Sequence, residues 1–366
     1  MSTTLFYLLA FVLVLSLVVI VHEGGHFIVA RLCGVKVTNF SLGFGKKLFS
    51  KTDKYGTAWQ VRAIPLGGYV KMLGDEDAAS AKSSDKDIPE EDKNKMFANK
   101  SLPQRAAIIF AGPAMNYVFA FIVFVGLFWG LGEVVVKPVI GSIMPDSAAE
   151  AAGLKIQDEI ISINDKKIDS FTDIQRAVLL TNYRQELSLQ VKRGDEVMQI
   201  SLTPKVDPAT DRPLIGITAA GETIVINEDL SFISACQKAW TTIYESTRDT
   251  LFYLGQVLTA KRAPKDMRGP LGIAEASGDA LAGGFVSLIA FVAQISVAIG
   301  LMNLLPIPLL DGGHLFLYLF EAIRRKPLSE KMQTALMWAG FSILMMVFAY
   351  TMFLDIPRII QRVIGS

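Results

Sequence analysis

His22 and His26 stand four residues apart in the stretch "LVVIVHEGGHFIVARLCG", residues 17–34, with Glu23 beside the first of them. On an α-helix that spacing puts both imidazoles on one face. Two such histidines are zinc ligands, and a glutamate next to one can reach a water at the metal as general base without binding the metal itself. The plain alternative is a pair of helix histidines satisfied by hydrogen bonds. Two facts weigh against it. The chain has only three histidines, and two of them fall at this spacing around a glutamate. The segment also reads as a membrane span, where an unpaired polar cluster is costly and marks a functional site. Gly24 and Gly25 fit the same reading. Each costs up to about 1 kcal/mol in a helix interior relative to alanine, and here they would let another backbone or a substrate approach the metal closely.

A catalytic zinc needs a third protein ligand and an open position for water. The stretch "MNLLPIPLLDGGHLF", residues 302–316, offers one in Asp311, the only carboxylate of a long apolar run. Pro306 and Pro308 break a helix there, and Gly312-Gly313 allow an unusual backbone path. Irregular backbone at membrane depth is tolerated where it is buried in protein or lines a wet cavity. A span-terminating turn with an interfacial aspartate is the bland reading of the same residues, and His314 is the alternative ligand.

The elements that must position these groups are membrane helices. The 366-residue chain is 51% hydrophobic with a mean hydropathy of +0.39, which places it in the membrane class. Leu5–Val21 (continuing past the histidines to Ala30), Ala106–Leu131, Ala280–Leu310 and Met332–Leu354 are apolar runs near or above the roughly 20 residues a spanning helix requires. The first is expected to stay in the mature protein, since no Lys or Arg precedes Arg31 to make a signal-peptide n-region. A net charge of +1 excludes a global field for nucleic acid. Local cations set the orientation. Arg31, Lys36, Lys46, Lys47 and Arg105 flank the first loop, and Arg324, Arg325, Lys326 and Lys331 fill the last. Both loops are expected in the cytoplasm, with the termini and the 132–279 region outside, although Arg358 and Arg362 argue mildly the other way. That puts Cys33 and Cys236 on opposite sides, with no disulfide between them.

The fold class expected is an α-helical membrane protein with four transmembrane helices, a membrane-associated β-hairpin region and an inserted α+β domain. The segments run as follows: 1–35, the first span with the histidines; 36–74, a β region on the cytoplasmic side; 75–104, a polar linker; 105–132, the second span; 137–220, a small outer domain. Then come 228–279, an amphipathic outer-surface helix and linker; 280–320, the third span with Asp311; 321–331, a cytoplasmic loop; and 332–356, the fourth span. In 36–74, apolar and polar residues alternate around Gly and Asp-Lys-Tyr-Gly turn signals, which reads as short strands. In 137–220, "EIISIND" reads as a strand, 171–182 as a helix, and "ELSLQVKRGDEVMQISL" as a hairpin. Its string "SAAEAAGLKIQDEIISINDKKI" resembles a PDZ domain, a module that captures extended chains by adding a strand at a sheet edge. A passive spacer domain is the alternative.

"HEGGH" at 22–26, "AGPAMN" at 111–116 and "NLLPIPLLDGGH" at 303–314 resemble the site-2 protease family of intramembrane zinc metalloproteases. With the outer domain and "RGPLGIA" at 268–274, the likeness is to the branch of bacterial regulator-of-sigma-E proteases. The resemblance implies His22, His26 and Asp311 as zinc ligands, Glu23 as base, Asn303 near the substrate or transition state, and the sheet of 37–73 as the partner of an unwound substrate strand. It implies a multi-pass protein of the bacterial inner membrane with its PDZ domain in the periplasm. That protein would act as a monomer within the lipid bilayer on single-span membrane proteins, such as pre-cleaved anti-sigma factors and remnant signal peptides. Two departures stand out: Gly24 replaces the bulkier residue usual there, and there is room for one PDZ domain where some members carry two. The rivals are a membrane zinc protease of misfolded or soluble chains, and a PDZ-bearing scaffold with a structural metal.

Overall fold

The structure is a computed structural model and describes residues 3–74, 88–181, 185–206, 213–220, 224–227, 230–259, 264, 267–326 and 328–364. In chain order its elements are α1 (Thr3–Leu32), β1 (Val37–Thr52), β2 (Ala58–Met72), α2 (Glu90–Lys93), α3 (Leu102–Leu131), β3 (Glu133–Val136), β4 (Ile140–Ile143), α4 (Ala148–Ala151), β5 (Glu159–Ile163), β6 (Lys166–Lys167) and α5 (Phe171–Leu179). There follow β7 (Leu187–Arg193), β8 (Glu196–Leu202), β9 (Lys205–Val206), β10 (Pro213–Leu214), β11 (Ile217–Ala219), β12 (Ile224–Asn227), α6 (Phe232–Leu258), α7 (Pro270–Ala282), α8 (Phe285–Leu304), α9 (Asp311–Arg324) and α10 (Glu330–Ile364). They fall into two compact units, Met1–Phe124 with Arg268–Ser366, and Val125–Met267.

In the first unit, α1, α3, α8 and α10 are long and apolar enough to cross a membrane, over Leu5–Leu32, Leu102–Leu131, Phe285–Leu304 and Lys331–Pro357. A helix that is apolar on every side has no solvent face to offer, which suits a bilayer. Val14 and Val18 of α1 pack with Leu288 and Val292 of α8 in a buried cluster. The third apolar run, read from the sequence as 280–320, is two helices: α8 stops at Leu304 and α9 starts at Asp311. Pro306 and Pro308 occupy the break, since neither can donate the backbone bond that a continuing helix needs. A second difference lies at 270–282, read as linker and folded as α7, with Pro270 in its first turn. Of the polar linker at 75–104, residues 75–87 lie outside the described residues.

The β1–β2 hairpin curls on itself. Residues 39–42 lie between 68–71 on one side, with Phe40 opposite Val70, and 58–61 on the other, with Phe40 opposite Trp59. Residues 47–52 then pair beyond 58–62, as Lys51 does with Trp59. Gly43, Gly45 and Gly67, at φ of 86°, 80° and 109°, make the bends. Asp53 ties the hairpin turn to α1. It accepts hydrogen bonds from the Tyr55 and Thr57 amides, the Trp59 indole and Arg31. Against the desolvation that would raise it, these donors hold the Asp53 carboxyl down at about 2.

The second unit has its own core. A sheet in the order β6-β5-β7-β8 buries Leu187, Leu189 and Val191 on alternate positions of β7. Phe171, Ile174 and Val178 of α5, spaced as one helix face, close over it. Ser170 and Asp173 form a capping box at the start of α5. Asp158, fully buried, receives two bonds of 2.7 Å from Arg193 and one of 2.8 Å from the Lys155 amide.

Candidate metal centre

α1 carries His22 and His26 one turn apart, both buried, at 9% and 7% exposure. Their Nε2 atoms are 3.2 Å apart. Asp311 reaches the same point from the start of α9, with Oδ2 3.1 Å from His22 Nε2 and Oδ1 3.6 Å from His26 Nε2. The break after α8 makes this possible. Leu309 takes a φ of 83°, rare for a residue with a side chain. Gly312 then packs on the Leu304 and Leu305 carbonyls and Gly313 on that of Ile307, where an added Cβ would stand 2.3–2.4 Å from oxygen. Gly340 of α10 closes on the Pro308 carbonyl in the same way. His314 lies outside the cluster that the described residues form.

These three side chains fit a zinc ion. Tetrahedral donors at about 2.0–2.2 Å from one metal stand about 3.3–3.6 Å from each other. The three observed separations, 3.2, 3.1 and 3.6 Å, lie within or just short of that range. Asp311 Oδ2 is buried and makes no hydrogen bond among the described residues, as expected of an oxygen aimed at the space between the donors. Two neutral imidazoles and one carboxylate are also a donor set that zinc prefers.

α3 packs against both histidines. Gly112 comes so near that a Cβ there would lie 2.3 Å from His26 Nε2, and Gly25 of α1 meets the Ala111 carbonyl as closely. Gly25 thus admits a neighbouring helix, while an added Cβ at Gly24 would meet nothing within 4 Å. Pro113 removes the donor that would bind the carbonyl one turn back. That carbonyl is Ile109's; its neighbour, the Ile108 carbonyl, accepts from His26 Nδ1 at 2.8 Å. Asn116, wholly buried, places its amide 3.3 Å from His22 Nδ1. The sequence reading passed over Gly112 and Asn116 as individual residues. A lone amide in an apolar span was the available signal, because uncharged polar groups there also need partners.

Glu23 sits beside the cluster, near the strand 68–72. Gly68 approaches it so closely that a Cβ would lie 3.5 Å from Glu23 Cγ and 3.0 Å from Val19. Asn303 is half-buried in the last turn of α8. Among the described residues its amide forms no hydrogen bond with His22, Glu23, His26 or Asp311.

The profile of peptidase family M50 matches residues 10–347, a span that includes the whole cluster. The chain is 34% identical over 361 residues to a Rickettsia conorii protein that carries a zinc-metalloprotease name, covering 96% of this chain and 99% of that one. It is 35% identical over 370 residues to a similarly named Agrobacterium fabrum protein, covering 97% and 96%. To the metalloprotease MmpA of Caulobacter vibrioides it is 34% identical over 384 residues, covering 97% and 96%. Among solved structures, the PDZ domain of an SdrC-like protein from Listeria monocytogenes is similar to 23% of this chain and 87% of its own, at 22% identity and a TM-score of 0.21. Family profile and full-length relatives agree: this chain belongs to peptidase family M50, the site-2 protease family, and is a zinc metalloprotease.

Proposed function

We propose that the chain cleaves single-span proteins within or near their membrane segments, in regulated intramembrane proteolysis, with His22, His26 and Asp311 as zinc ligands. The observation that carries this reading is the convergence of these three residues to within 4.8 Å, between a spanning helix and the turn after another. Bound zinc supplies a Lewis acid that polarises a carbonyl and makes water nucleophilic at neutral pH. Glu23 takes the proton of the attacking water on its carboxylate and returns it to the leaving amine nitrogen. A purely structural metal would have no use for it. Asn303 donates a hydrogen bond to the developing oxyanion or to the substrate main chain.

A substrate helix must unwind before cleavage, and its freed amides need partners where water is scarce. Among the described residues, 68–72 pair with another strand, β1, on one side, and the strand borders Glu23 through the Val70 backbone and Gly68. An unwound substrate adds to the other edge of this strand as a further strand. Substrates of this kind include anti-sigma factors already trimmed by another protease and remnant signal peptides. The protein resides in the bacterial inner membrane, with the metal toward the cytoplasm and the 137–220 domain, a PDZ module, in the periplasm. The cations around the first and last loops support that orientation.

The test is incubation of the purified protein with model single-span substrates, with and without a zinc chelator. Chelator-sensitive cleavage at a bond inside or beside the hydrophobic segment is expected. Cleavage confined to soluble loops would reject the intramembrane reading.

A further inference from the structure

The geometry points to Asn116 as a positioning residue that fixes which nitrogen of His22 faces the metal. This rests on the reading of His22, His26 and Asp311 as zinc ligands. A neutral imidazole carries one proton, and if Nε2 holds a metal that proton must be on Nδ1. Nδ1 is then a donor and needs an acceptor. The group facing it, 3.3 Å away, is the Asn116 carboxamide. In the structure the amide presents its Nδ2 to the ring, while its Oδ1 is buried with no partner among the described residues. Two donors would then face each other, with an acceptor stranded alongside. A half-turn of the carboxamide about Cβ–Cγ exchanges the two atoms. Nδ1–H then donates to Oδ1, and the two donors no longer face each other.

The surroundings hold Asn116 in place for this task. Ser296 of α8 donates to its main-chain oxygen at 3.0 Å. Gly300 of α8 packs so near that a Cβ there would stand 3.2 Å from Asn116 Cβ. Asn116 itself is 0% exposed. One helix therefore orients both imidazoles, His26 through the Ile108 carbonyl and His22 through the Asn116 side chain. Partners of this kind fix a ligating histidine's tautomer and ring orientation, and losing one typically weakens metal binding about 10–100-fold.

The experiment titrates the full-length, metal-free protein in detergent with cobalt(II), reading the visible absorption band and the affinity. Zinc competition repeats the measurement. N116L keeps roughly the size but has no acceptor, whereas N116D keeps an acceptor oxygen. Expected are a 10–100-fold loss of affinity with an altered band in N116L, and affinity near the parent's with the parent's band in N116D. A packing role alone would not sort the two variants by acceptor. Parent-like binding by N116L, or equal weakening of N116L and N116D, overturns the proposal. Should N116L fail to fold, N116A gives the same comparison without overpacking. D311A is the control for the metal reading itself. If D311A binds cobalt as tightly as the parent, the ligand assignment fails. If D311A loses the metal while N116L keeps it, the Asn116 inference fails alone.

Discussion

Gly112 of α3 stands against His26 of α1 with no room for a methyl group, since a Cβ there would lie 2.3 Å from the ring Nε2. The metal-facing nitrogen and the helix backbone behind it share one close contact. Gly112→Ala must therefore push the imidazole toward the other ligands or force the helices apart. Zinc affinity should fall about tenfold or more, and the strain should cost about 1–3 kcal/mol. Gly126→Ala, on the same helix with nothing within 4 Å of the added methyl, is the control. Zinc retention after dialysis against a chelator measures both, and equal retention would show that the contact relaxes freely.

Most of the site could be read in the sequence because charged groups inside apolar runs are conspicuous. His22, Glu23, His26 and Asp311 stood out on that ground and through the four-residue spacing of the histidines around Glu23. Asn116 and Gly112 did not, since an amide and a glycine blend into a span until the neighbouring helix is in place. The curl of β1 and β2 was hidden for another reason. Alternation marks strands, but the double pairing of residues 39–42 depends on where Gly43, Gly45 and Gly67 bend the chain. The helix α7 lies in a segment read from the sequence as linker, and it carries two glycines, Gly272 and Gly278. One of them, Gly278, lies against the Tyr7 ring of α1, so tertiary packing outweighs its low helix propensity.

Glu23→Gln keeps the size of the side chain and removes its ability to accept a proton. Cleavage should be abolished while zinc content stays near that of the parent, because Gln at this position leaves both histidines and Asp311 untouched. Paired measurements of turnover and metal content decide it. Near-normal turnover would remove Glu23 from the role of base.

Asp158 sets a pH dependence in the second unit. Burial pushes its carboxyl up, but the Arg193 bonds and the Lys155 amide outweigh this and hold it below the usual carboxylate range. A depressed carboxyl stabilises the fold fully above its unfolded pKa of about 3.9 and loses that contribution as pH falls through the folded value. Removing one partner of a buried pair costs about 3–5 kcal/mol, and the 29% exposure of the Arg193 side chain argues for a lower figure, about 2 kcal/mol. Asp158→Asn should therefore reduce hydrogen-exchange protection of β5 and β7 at pH 7. The difference from the parent should shrink on acidification below pH 4. A difference that is constant with pH would assign the effect to packing.

The last expectation concerns residues 137–220, whose buried core from Ile140 to Ile215 is self-contained and which contributes no residue to the metal cluster. The role proposed for them is selection of substrates rather than chemistry. β3 pairs with β12, with Val136 opposite Ile224, so a short flexible linker between 136 and 224 can replace the excised segment. A filter that excludes bulky external domains predicts that the excised protein cuts short-tailed substrates about as well as the parent and long-tailed ones better. A receptor that grips a newly made C-terminus predicts the reverse: slower cutting of short-tailed substrates and no gain on long ones. A receptor would also need a cleft, and one of about 820 Å³ lies between α5, residues 213–217 and α6, with Phe171, Ile174 and Ile215 in its walls. Arg176 beside it is already bound to Glu245 and Asp249 of α6, so an arriving carboxylate would have to compete for that cation. That competition favours the filter. Cleavage rates for the two substrate lengths, measured side by side in the parent and the excised protein, decide between them.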